Sequence, residues 1–90
     1  MRQDPEHFGD QVLNLIYIAK KLKEALRLET ALTDAGVDYV VEPDTYTGGI
    51  IFRSERVGAF FYVAPDTEPK AREVVTAQGF KPFDASAEPL

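Results

Sequence analysis

The densest group of reactive side chains in this sequence is Asp44-Thr45-Tyr46-Thr47-Gly48-Gly49. An acid, two hydroxyl-bearing threonines, a tyrosine and two flexible glycines together suit a loop that contacts a ligand. Arg53 lies just beyond. It can pair with Asp44 or Glu42, or hold a substrate carboxylate through its planar guanidinium. Asp44, Tyr46, Thr47, Gly48, Gly49 and Arg53 therefore form the candidate ligand site. The same composition also fits an ordinary wide hairpin connection, in which Gly-Gly merely allows the turn.

A second candidate is cationic. Lys20, Lys21 and Lys23 stand where the first helix should begin. Positive charge there opposes the helix dipole, a mismatch that an anion bound at Lys20 and Lys21 would relieve. The alternative is that the lysines lay their alkyl stems over apolar surface. No glycine-rich turn is present to let a phosphate approach closely.

Other chemistry is thin. His7 is the single histidine, and a lone His without a second ligand or an orienting acid is a poor metal or acid/base candidate. With no cysteine, the chain offers no disulfide, thiolate metal site or cysteine nucleophile. Glu24 with Arg27, and Glu55 with Arg56, read as solvated surface pairs. No Ser/His/Asp set, P-loop or GxGxxG run occurs, so no catalytic residue, metal ligand or cofactor is assigned.

The elements that must position these residues announce themselves by repetition. Leu15-Ile16-Tyr17-Ile18-Ala19 is echoed by Phe60-Phe61-Tyr62-Val63-Ala64. Each run precedes a helical stretch that ends in glycine and an apolar residue, Gly36-Val37 and then Gly79-Phe80. The first strand is expected over Val12 to Ala19. The first helix follows over Lys20 to Ala35, with Leu22, Ala25, Leu28, Leu32 and Ala35 as its apolar stripe. Val37 to Glu42 reads as a strand ended by Pro43. Ile50 to Arg53 and Ala59 to Ala64 read as a hairpin turning at Ser54 to Gly58. The second helix, capped by Asp66 or Thr67 with Pro69 in its first turn, buries Ala71, Val74, Val75 and Gln78.

These elements make an α+β, ferredoxin-like βαββα(β) two-layer sandwich, an antiparallel sheet with both helices on one face. A last strand at Phe80 to Phe83 is left open. Residues 1–11 form an arm expected to be loosely held, 12–83 the single domain, and 84–90 a flexible tail. Strict alternation along the repeat places Leu15, Tyr17, Phe60 and Tyr62 on the face away from the helices. An uncovered aromatic face calls for a second copy, a ligand or a covering tail. Those four residues are the candidate interface of a homodimer or of another protein partner.

Composition narrows the class further. Lys and Arg total 10 against 15 acids, and a net charge of −5 argues against nucleic acid as the main partner. The apolar fraction of 44% supports a folded core rather than disorder. No run approaches the roughly 20 apolar residues of a membrane span, and the first residues lack the apolar core of a signal peptide. A cytoplasmic protein is expected.

A family resemblance rests on particular segments. They are Leu15-Ile16-Tyr17-Ile18, Leu28-Glu29-Thr30-Ala31-Leu32-Thr33-Asp34-Ala35-Gly36 and Val37-Asp38-Tyr39-Val40-Val41. The Gly-Gly pair at 48–49 and Phe61-Tyr62-Val63-Ala64-Pro65-Asp66, with Ala71 beyond, complete them. Over roughly residues 12–80 the chain resembles the small bacterial domains called putative prokaryotic signal-transducing proteins, the DUF2007 group. The resemblance implies a PII-like α+β fold and a regulatory or sensing role, with no catalytic residues to carry over. The expected function is thus a small non-enzymatic sensing or interaction domain that self-associates through its sheet and binds a small ligand near 44–49. The alternative is a dimeric enzyme with its site between the open sheet face and a partner, using Tyr17, Tyr62 or Arg53.

Overall fold

The computed structural model describes residues 1–48 and 54–83. Its order is β1 (Asn14–Ala19), α1 (Leu22–Asp34), β2 (Val40–Gly48), β3 (Ser54–Val63) and α2 (Glu68–Ala77), with a 3-10 turn over Pro5–Phe8 ahead of them. The three strands form one antiparallel sheet in the order β1-β3-β2, and the whole is an α+β arrangement compatible with a small ferredoxin-like sandwich.

One apolar cluster joins the layers. Ala25, Leu28 and Leu32 of α1 and Ala71 and Val75 of α2 pack with Ile16, Tyr39, Phe61 and Val63 of the sheet side. Burying a side chain of this size contributes about 1.5–3 kcal/mol relative to leaving it exposed. Leu22, expected in the stripe of α1, is instead 75% exposed, because it begins the helix beyond the end of that cluster.

The two helices end alike. Gly36 donates to Thr33 O and Val37 to Leu32 O, both at 3.0 Å; Gly79 donates to Thr76 O at 2.9 Å and Phe80 to Val75 O at 3.2 Å. Both glycines are left-handed, φ 73° and 84°, so each helix closes with the same Schellman turn. The apolar residue after each glycine folds back onto the helix it has just left. The repetition in the sequence is therefore a repetition of strand, helix and cap.

The sheet departs from strict alternation in β1. Leu15 faces Tyr62 but Tyr17 faces Phe61, so Ile16 is an extra residue, a β-bulge. The bulge returns Tyr17 to the helix side, where it stacks on Phe80 and its hydroxyl donates to Glu24 at 3.3 Å. Ile18, opposite Phe60, takes the open side in its place. The expected interface set of Leu15, Tyr17, Phe60 and Tyr62 is corrected accordingly: Tyr17 leaves it.

The second correction concerns β2 and β3. Pro43 does not end β2; it pairs with Ala59, and the ladder continues through Asp44–Gly58 to Gly48–Ser54. β2 is an edge strand, where a residue without an N–H is tolerated because half of the edge donors point away from the sheet. The turn expected at Ser54 to Gly58 is accordingly strand, and the Ile50–Arg53 arm of that hairpin lies outside the described residues. β1 pairs only with Ala59–Val63, so the β2–β3 ribbon runs on alone past the end of β1.

The arm at the start of the chain is tied down. Gln3 donates to Tyr39 O at 2.8 Å and Tyr39 to Met1 O at 3.1 Å, while the terminal ammonium bonds Val37 O and lies 3.6 Å from Asp38. His7 approaches the same Asp38 at 3.6 Å. From Gln3 beside β2 the chain must cross to Asn14 on β1, at the opposite edge of the sheet. Val40 and Phe60 are 2% and 9% exposed, yet neither belongs to the helix-side cluster.

No last strand forms over 80–83 among the described residues. Phe83 makes one backbone bond, to Ile16 O at 2.6 Å, and Arg72 holds the Phe83 carbonyl at 2.7 Å. Pro82 lacks the N–H that a continuous ladder needs. Arg72 also meets Glu68 at 2.7 Å, and Asn14 donates to Glu68, tying α2 to the start of β1.

Candidate functional site

Where the β2–β3 ribbon runs on past β1, a cavity of about 310 Å³ lies between the first turn of α1 and the sheet. Its floor is the row Ala19, Ala59 and Pro43, which face one another across the three strands, with Val41 and Ala25 beside them. Small side chains in that row leave room that Phe61 and Tyr17, one row away, fill. Leu22 and Val57, 75% and 68% exposed, form apolar lips on opposite sides.

Three cations line the mouth. Lys20 and Lys21 join β1 to α1, and Arg2 arrives on the amino-terminal arm. Arg2 also approaches Glu29 at 3.6 Å, so part of its charge is already met. Lys21 is the residue before α1, and no side chain caps that helix end. The lining holds no carboxylate among the described residues. Glu24, in the first turn, accepts from the Lys20 N–H at 3.4 Å and from Tyr17. Burial, followed by the Glu24 charge and hydrogen bond, pushes the Tyr17 phenol up to about 12.

The residues singled out from the sequence are distributed unevenly. Lys20 and Lys21 do come together, at this cavity. Asp44, Tyr46, Thr47 and Gly48 lie along β2, opposite Gly58, Arg56, Glu55 and Ser54, and make no loop. The Asp44 carboxylate accepts the neighbouring Thr45 N–H at 2.8 Å. Gly49 and Arg53 lie outside the described residues. Of the interface set, Leu15 and Tyr62 are half-buried and Phe60 is buried on the open face. Burial, then the charges of Glu42 and Asp44, raises the Tyr62 phenol above its ordinary value.

The expected Glu24–Arg27 surface pair is not made. Arg27 instead donates to Gln78, to its backbone carbonyl at 3.0 Å, and lies over the Phe80 ring at 5.3 Å. Among the described residues no group of three or more His, Asp and Glu could hold a metal ion, and no helix is long and apolar enough to cross a membrane.

Arg2, Val41, Val57 and Ala59 were not singled out by sequence reasoning. Arg2 reaches the site only because the arm docks beside Tyr39, and Val57 only because the ribbon is continuous through Gly58. The usable signal was Leu22, an apolar residue set between Lys21 and Lys23.

No family model, curated protein or solved structure matches this chain.

Proposed function

We propose that this chain is a small sensing domain that binds a small molecule in the cavity between the start of α1 and the β2–β3 ribbon. The observation that carries the reading is the cavity itself: a floor of Ala19, Val41 and Ala59, a cationic mouth, and no acid–base pair on its described lining. An apolar concavity with a few convergent polar groups is the usual form of a ligand site. At about 310 Å³ it falls at the small end of the range of such sites. Binding rather than turnover is our reading, since the described lining offers cationic side chains and neither a carboxylate nor an imidazole. The regulatory role implied by the DUF2007 resemblance agrees with this. The site in this reading is the cavity and not the 44–49 segment.

Self-association through the open sheet face is the second reading. It is favoured by the half-buried Leu15, Ile18 and Tyr62, which leave apolar area at the surface. The burial of Val40 and Phe60 reduces the area available to a partner.

A small-molecule stability screen tests the proposal, because a ligand that binds only the native state raises its melting temperature. One chemical class should do so and shift the amide resonances of Ala19, Ala25 and Ala59. No stabilising compound, or shifts confined to Leu15, Ile18 and Tyr62, would overturn it. Chemical conversion of the stabilising compound would favour the enzyme alternative.

A further inference from the structure

The lining of the cavity says more than that something small binds there. Resting on the reading above, we propose that the ligand is a single-chain amphiphilic monoanion, a medium-chain carboxylate in the first instance. Its hydrocarbon would lie on Ala19, Val41 and Ala59, and its carboxylate would sit between Lys21, Arg2 and the first turn of α1.

Three features of the lining point to both ends. Val41 and Ala59, half-buried on the floor, offer apolar surface that a wholly polar ligand would leave in contact with water. The mouth carries Arg2, Lys20 and Lys21 and no acidic lining residue among those described, with Arg2 shared with Glu29 at 3.6 Å, in a chain whose net charge is −5. A cationic mouth on an acidic protein selects an anion against that background. The third feature is the helix end: α1 runs 13 residues and starts without a side-chain cap. Its first N–H groups are the ordinary partners of an anion, and a bound carboxylate would also offset the two lysines that oppose the dipole.

Size limits the chain length. At about 30 Å³ for each water-sized unit, the volume holds roughly ten non-hydrogen atoms. Octanoate has about that many. A phosphate group fits less well, since the turn from Ala19 to Leu22 has no glycine to let several backbone N–H groups wrap it.

The test uses the full chain and three probes of equal chain length: octanoate, 1-octanol and octylammonium. Binding is followed by amide chemical shifts. Octanoate should shift Ala19, Ala25 and Ala59 and bind at least about tenfold more tightly than octanol, as one charge-assisted contact allows. Octylammonium should not bind. Lys21→Glu should weaken octanoate by about tenfold or more and leave octanol unchanged, and Leu22→Ser should weaken both. Lys21 and Leu22 are exposed, so both variants keep the fold. Equal binding of all three probes would overturn the inference and leave the binding site standing. So would failure of octanoate while the screen finds another ligand in this cavity. Failure of every compound to shift these amides would overturn the inference and the proposed function together.

Discussion

The rings of Tyr17 and Phe80 stack 5.1 Å apart and 19° from parallel, joining the middle of β1 to the first residue past the second helix cap. Tyr17 is the residue that the bulge turns inward, and Phe80 is the residue that the Gly79 turn folds back. Two local irregularities meet in one contact. Arg27 over Phe80 and Glu24 on the Tyr17 hydroxyl bring α1 to the same place.

Tyr17 should impose an alkaline limit on stability. Its folded phenol is raised to about 12 from an ordinary value near 10. As pH rises through that interval the unfolded chain loses the proton first, so unfolding becomes more favourable. The stabilisation is complete below about pH 10 and is lost as pH passes through 12. Tyr17→Phe should flatten the fall in melting temperature between about pH 10 and 12. Some slope should persist, because Tyr39 and Tyr62 are shifted in the same direction, each chiefly by burial. An unchanged slope in the variant would mean that the Tyr17 phenol is not held above its ordinary value.

The two helix caps should be energetically equivalent. At φ 73° and 84°, Gly36 and Gly79 occupy a conformation that costs a residue with a Cβ about 1–2 kcal/mol. Nothing lies within 4 Å of a Cβ built at either position, so steric contact adds no further penalty. Gly36→Ala and Gly79→Ala should each lower unfolding free energy by about 1 kcal/mol in urea titrations, and the double variant by about the sum. A loss several times larger at one site would show that the two turns do not do the same job.

The amino-terminal arm should act as a cover. Deleting residues 1–8 removes the bonds to Tyr39, Val37 and Asp38, and is expected to expose more of Val40 and Phe60, which are buried outside the helix-side cluster. Sedimentation should then show concentration-dependent dimers that the full chain does not form, and adding Tyr62→Glu should abolish them. A full chain that is already dimeric, and that Tyr62→Glu dissociates, would instead favour the second reading of function.

What could be read from the sequence is what depends on near neighbours. The helix pattern of Ala25, Leu28 and Leu32, the glycine stops and the doubled strand are settled by spacing and by backbone freedom within a few residues. They suffice for the α+β class and the pairing of the repeat. Tertiary structure decided the rest, because it depends on partners distant along the chain. Whether Pro43 ends a strand depends on its being at the edge of the sheet. Which way Tyr17 points depends on a bulge, and the bulge exists where Ile16 enters the core and its carbonyl meets Phe83. A one-residue slip reverses every later side chain. The site followed the same division: Lys20 and Lys21 were legible as neighbours at a helix start. Arg2, Val41 and Ala59 joined them only when the arm docked and the ribbon outran β1.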